Sequence, residues 1–161
     1  IGNICAQNCC DSLALIFYER ASENFQESDN DWYYAHTLLD KSESRIYVRD
    51  YAVADTLLHI ARSYQLDSNY LARYLETHAL YFYAQQQYDS ALVYFKQGLN
   101  YWQSESEKSF SYLKIIQVYY DLNKFHLAIP YAKLIVEYST NPNHLSNAYY
   151  CLMQDAKSVC G

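Results

Sequence analysis

Glycine and proline are nearly missing from this chain, at 3 and 2 residues of 161. A fold of many short strands needs both at its tight turns, so an all-β architecture is excluded. The glycine shortage also removes the phosphate-cradling loops and the G-x-G-x-x-G turn on which nucleotide sites depend. There is no H-E-x-x-H and no G-x-S-x-G. No two of His36, His59, His78, His126 and His144 stand three or four residues apart, so no helix face carries a ready metal pair. His78 falls in an apolar helical slot and reads as a core histidine. No apolar run approaches the roughly 18 residues that span a bilayer. Cations are few and scattered: 12 Lys and Arg against 18 Asp and Glu leave a formal charge of -6. A nucleic-acid binder carries a basic face instead. From these absences no enzyme activity, no cofactor, no metal and no direct nucleic-acid partner is expected.

What is present is apolar surface and tyrosine. The hydrophobic fraction is 51%, and 20 residues are Tyr. Each tyrosine offers a large apolar ring with one polar tip, suited to half-buried helix contacts and to binding surfaces. The five cysteines, Cys5, Cys9, Cys10, Cys151 and Cys160, are odd in number and clustered at the two ends, which is not a disulfide framework. Ile4-Cys5-Ala6 followed by Gln7 resembles the tail of a secretory signal peptide. Residues 1–9 therefore read as an N-terminal tail, with the extracytoplasmic side favoured over the cytoplasm.

Self-similarity organises the rest. "RDYAVADTLLHIARSY" from Arg49, "QQYDSALVYFKQGLNY" from Gln86 and "NKFHLAIPYAKLIVEY" from Asn123 align. Each has an aromatic (Tyr51, Tyr88, Phe125), then an alanine three residues on (Ala54, Ala91, Ala128). Leu58, Phe95 or Ala132 follows four residues later, and each segment closes on Tyr64, Tyr101 or Tyr138. The aromatic positions are spaced by 37 residues, twice over. Each segment follows another stretch of helical periodicity, with Leu38, Leu39, Ser42 and Ile46 in the first, Leu75, Ala79, Phe82 and Tyr83 in the second, and Tyr112, Ile115, Ile116 and Tyr119 in the third. The unit is therefore helix, short polar turn, helix. One unit cannot bury both of its apolar faces, whereas stacked units can.

The pattern Leu75-x2-His78-Ala79-x2-Phe82 followed by Ala91-x3-Phe95 resembles the tetratricopeptide repeat family, in a divergent, bacterial-type form. Tyr112-x2-Ile115-Ile116-x2-Tyr119 with Ala128-x3-Ala132 resembles it next best. The period is longer than the family's usual 34, and Lys41 and Arg45 fill slots where the family prefers apolar residues. The family's closing proline is absent after the first two units, leaving Pro142 as the only candidate. Pro130, early in the last second helix, is expected to delay its start or kink it. The resemblance implies an all-α fold, a right-handed α-α superhelix of about three repeats with flanking helices. The expected layout is one domain over 10–161, with repeats near 31–66, 70–103 and 109–142 and flanking helices at 11–26 and 144–159. Leu13, Phe17 and Ala21 share a face of the first flanking helix.

The resemblance also implies a function. First helices in that family line a concave groove that holds a peptide or partner segment. Carried over by alignment, the groove takes Leu39, Glu43, Ile46 and Tyr47 from the first unit and Glu76, Leu80 and Tyr83 from the second. The third contributes Leu113, Gln117, Tyr120 and Asp121, and the last helix Tyr150 and Gln154. The chaperone-docking members carry Lys, Arg and Asn at set groove slots. Leu39, Glu43, Thr77, Phe110 and Lys114 occupy them here, and only Lys114 fits. Glu43, Glu76 and Asp121 then argue for a partner with apolar and basic residues. The implied role is a protein-protein interaction module, the sensing or docking part of a larger bacterial regulator. The alternative is a structural spacer or a self-association element without a peptide ligand. Gly98 is expected to let the next unit's first helix press in.

Overall fold

Asp67, Ser104 and Asn141 stand 37 residues apart, and each side chain accepts a hydrogen bond from backbone just ahead of it. The donors are the N–H groups of Tyr70 at 2.8 Å, Glu107 at 3.3 Å and Asn143 at 3.0 Å. Such caps satisfy donors that an α-helix leaves open at its first turn. At Ser104 the Glu107 carboxylate also accepts from the Ser104 N–H at 2.8 Å, completing a reciprocal box. Ser104→Ala should therefore lower unfolding free energy by about 1 kcal/mol, read as a lower urea midpoint at unchanged slope.

The computed structural model describes residues 31–64 and 67–160 (the last six as backbone), with Ile16, Arg20, Glu23 and Asn24 as isolated positions upstream. The N-terminal tail, Cys5, Cys9, Cys10 and the first expected flanking helix lie outside the described residues. Seven helices follow in order: α1 Asp31–Tyr47, α2 Tyr51–Ala61, α3 Ser68–Ala84, α4 Tyr88–Gly98, α5 Glu105–Asp121, α6 Phe125–Tyr138 and α7 Pro142–Cys160. Among the described residues there is no strand, and no helix is long and apolar enough to cross a membrane. The chain is all-α.

The period is written into the backbone. α1, α3 and α5 have 17 residues each. With α7, they begin at intervals of 37 residues. Between the two helices of each pair, Arg49, Gln86 and Asn123 hold φ of 63°, 61° and 56°. The N–H groups of Asp50, Gln87 and Lys124 reach back to the carbonyls of Arg45, Phe82 and Tyr119 at 2.8–2.9 Å. This left-handed closure normally favours glycine. Here three larger residues adopt it, which explains how so glycine-poor a chain makes three sharp turns.

Packing follows the same register. α1 lies on α2, α3 on α4 and α5 on α6, while α1 also meets α3, α4 meets α5, and α7 meets both α6 and α5. Ala54, Ala91 and Ala128 are all fully buried, as are Ala61 and Ile135 in the slot seven residues on, where Gly98 is buried as well. Small side chains there let paired helices approach closely; Ser42 of α1 donates to the Ala54 carbonyl of α2 at 3.2 Å. The first pair forms despite its charges. Arg45 is half-buried and meets Asp50 at 3.3 Å, while Leu38, Leu39, Ser42 and Ile46 are buried.

Several expectations change. α3 begins at Ser68 and α5 at Glu105, earlier than the boundaries at 70 and 109. Pro142 does not close the third unit; it is the first residue of α7, where its missing N–H costs nothing. Pro130 does not delay α6, which starts five residues before it. Gly98 faces Ala72, Leu75 and Glu76 of α3, the first helix of its own pair and not of the next.

Candidate functional site

The face carried by the first helices is not flat. A cleft of 230 Å³ lies over α1 and α3, lined by Glu43, Ile46, Tyr47, Leu80 and Tyr83, with Arg49, Tyr51, Ala84 and Lys114. A second, of 410 Å³, lies between α5 and α7. It is lined by Leu113, Lys114, Gln117, Tyr120 and Tyr150, with Phe110, Ile116, His144, Asn147 and Cys151. Lys114 belongs to both, so the two clefts form one continuous lining over four helices. The sequence assigned this face by register alone, and nine of its thirteen groove positions line these clefts.

Four do not. Leu39 is fully buried, one of the larger side chains of the core cluster around α1, α2 and α3. Glu76 is also buried. Its Oε1 accepts from Trp102 Nε1 at 2.9 Å and from the Ser111 hydroxyl. Asp121 is exposed beyond the clefts, taking a hydrogen bond from the Tyr83 hydroxyl at 2.7 Å and from Gln117 Nε2 at 3.3 Å. Gln154 is half-buried on α7 and lines neither cleft.

Electrostatics at the junction differ from the sequence expectation. Burial pushes the Glu43 carboxyl up from its ordinary value, against the opposing pull of Arg73 and of the Thr77 hydroxyl, which donates to it at 3.0 Å. Arg73 itself pairs with Asp40. Burial pushes the Lys114 ammonium down, partly offset by the charge of Glu43. Lys114 Nζ sits 5.2 Å from the centroid of the Phe110 ring, and no carboxylate among the described residues lies within salt-bridge distance of it. The acidic groups of this face are thus engaged internally, while its central cation has an aromatic ring for support and an incomplete shell of acceptors. The face is less acidic towards a ligand than Glu43, Glu76 and Asp121 suggest when read in sequence.

Tyrosine holds the face in place. Tyr51 donates to the Ala84 carbonyl at the end of α3 at 3.1 Å, and Tyr70 to the Ala61 carbonyl at the end of α2 at 2.7 Å. Both satisfy acceptors left open at helix C-termini. Tyr83 packs against Tyr88, and Tyr120 packs edge-on against Phe125. Those two groove tyrosines are therefore part structural.

Comparison with protein-family models, curated proteins and solved structures finds no match.

Two features escaped the sequence reading. Trp102 lies in the link before α5, and its indole reaches a buried carboxylate. A third cleft, of 520 Å³, is lined by Tyr64, Tyr70, Tyr74 and Tyr101 with Arg62 and Asp67. Its residues come from the end of α2, the start of α3 and the segment after α4. The repeated closing tyrosines, Tyr64 and Tyr101, were the available signal for it.

Proposed function

We propose that this chain is a tetratricopeptide-like interaction module, a right-handed helical array whose first-helix face binds an extended peptide or partner segment. The observation that carries the reading is the continuous lining from Tyr47 on α1 to Tyr150 on α7, joined at Lys114. Ligand sites are characteristically concave and mostly apolar, with a few oriented polar groups. Aromatic side chains supply contact area at low entropic cost. A segment lying here meets Ile46, Leu80 and Leu113 with apolar groups and offers an acceptor to Lys114. Basic side chains in the partner would meet only Glu43 and Asp121, both already hydrogen-bonded. The module acts by docking and without catalysis, as part of a longer regulatory protein.

The test is selection from a displayed library of random twelve-residue peptides, followed by affinity measurement on purified variants. Tyr47 and Tyr150 are 62% and 55% exposed, so truncating them leaves the core intact. Tyr47→Ala with Tyr150→Ala should weaken the selected peptides at least tenfold, roughly 1.4 kcal/mol, at an unchanged melting temperature. Recovery of no peptide, or binding indifferent to both substitutions, would overturn the reading.

A further inference from the structure

The joints between successive pairs are not alike. α3 packs on both α1 and α2, and α7 packs on both α5 and α6. Between the second and third pairs α4 meets α5, but α3 and α5 make no comparable backbone contact. The 37-residue register shows what stands there instead. Three residues before α5 is Trp102, whereas its counterpart before α7 is Ser139. Glu76 is equally singular, because its counterparts on the other first helices are Leu39, Leu113 and Tyr150. The Trp102 indole N–H donates to Glu76 Oε1 at 2.9 Å, and the Ser111 hydroxyl of α5 donates to the same oxygen. The indole is therefore fixed, half-buried, at the α3–α5 joint. A second link crosses that joint farther along α5, where Asp121 accepts from the Tyr83 hydroxyl at 2.7 Å.

We infer that Trp102 is a specificity-determining spacer, which holds α3 and α5 apart so that Lys114 opens into the groove and selects partner segments with an acceptor there. This role presupposes the groove proposed above. The register supplies the comparison that carries it. Thr77 and Cys151 are the counterparts of Lys114 on α3 and α7. Both are buried, at 0% and 2% exposure, where α3 sits on α1 and α7 sits on α5. The Thr77 hydroxyl is turned inward, onto Glu43 and the Arg73 carbonyl. Lys114, at the joint with the tryptophan, is only half-buried and lines both clefts. A close α3–α5 joint would shut in an ammonium that has no carboxylate among the described residues within salt-bridge distance, at a heavy desolvation cost. The spacer and the lysine thus belong together.

A double-mutant cycle tests this coupling. The probe is the tightest twelve-residue peptide from the selection described above. In the wild type, Lys114→Met should weaken that peptide roughly tenfold or more. Trp102→Phe keeps a ring at the joint and should retain that loss. Trp102→Leu removes the ring, and Lys114→Met in that protein should then change affinity less than about twofold, because the two residues act as one unit. Where Trp102→Leu lowers the helical signal, Trp102→Met takes its place, as a flexible chain that fills the joint without bracing it. Tyr47→Ala with Tyr150→Ala, made alongside, separates the two claims. A wild type indifferent to the tyrosine pair overturns the groove and the spacer together. A loss at the tyrosine pair, with Lys114→Met either without effect in the wild type or equally costly with and without the ring, overturns the spacer alone.

Discussion

Glu76→Ala should destabilise the fold by about 3 kcal/mol, because two donors lose one acceptor. Trp102 Nε1 and the Ser111 hydroxyl both point at Glu76 Oε1. Ser111 is fully buried and Trp102 half-buried, so water replaces the carboxylate poorly. Glu76→Gln separates the two roles of that side chain. Its amide oxygen still accepts from both donors, while the charge is gone. Burial raises the Glu76 carboxyl above its ordinary value, against the hydrogen bonds of Ser111 and Trp102. A raised folded value means that the folded state holds the proton more tightly than the unfolded chain does. The resulting stabilisation is complete below the ordinary carboxylate range and is lost as pH rises through the raised value. The glutamine variant should therefore gain on the wild type between about pH 4 and pH 7. Urea unfolding of the three proteins at both pH values measures this. An alanine variant as stable as the wild type, or a pH-independent offset for glutamine, would show that Glu76 does not anchor α3 to α5.

The second large effect lies at Gly98. Gly98→Leu should cost about 2 kcal/mol or more through overpacking, and Gly98→Ala should stabilise by up to about 1 kcal/mol. The site is buried against α3, so a leucine has little room to turn. A first Cβ would stand 3.4 Å from the Ala72 carbonyl oxygen, 3.6 Å from Leu75 Cβ and 3.7 Å from Glu76 Cγ. Those are ordinary contacts, and Ala61 fills the matching slot of the first pair. The glycine is thus tolerated by close packing without being required by it. Thermal unfolding of the two variants against the wild type decides the matter, and a neutral leucine would place Gly98 in a looser contact than this.

Much of the architecture was legible because it repeats. Tyr51, Tyr88 and Phe125 announced the period, and helix starts, turns and buried alanines all keep it. The boundaries at Ser68 and Glu105 were less legible. Capping by Asp67 and Ser104 sets them, and one polar residue before a helix looks much like another until its hydrogen bond is seen. The groove was legible as a register and less so as a surface. Alignment placed Leu39 and Glu76 beside Tyr47 and Tyr83, but exposure depends on which neighbour closes over each residue. For Leu39 the neighbours are the core residues of α2 and α3, and for Glu76 they are Trp102 and Ser111.

The sequence by itself determined the helical class, the 37-residue unit and the pairing of helices within it. Each of these follows from local periodicity and from small residues at fixed intervals along one chain. Only the tertiary structure decided that three non-glycine residues take left-handed turns and that Gly98 meets its own pair. It also decided that Lys114 joins two clefts with no carboxylate among the described residues in salt-bridge distance, and that Tyr149 and Met153 stay open where their counterparts in the earlier pairs are mostly buried. These are relations between residues far apart in sequence. Their energies depend on distance, burial and competing hydrogen bonds, which no spacing along the chain encodes.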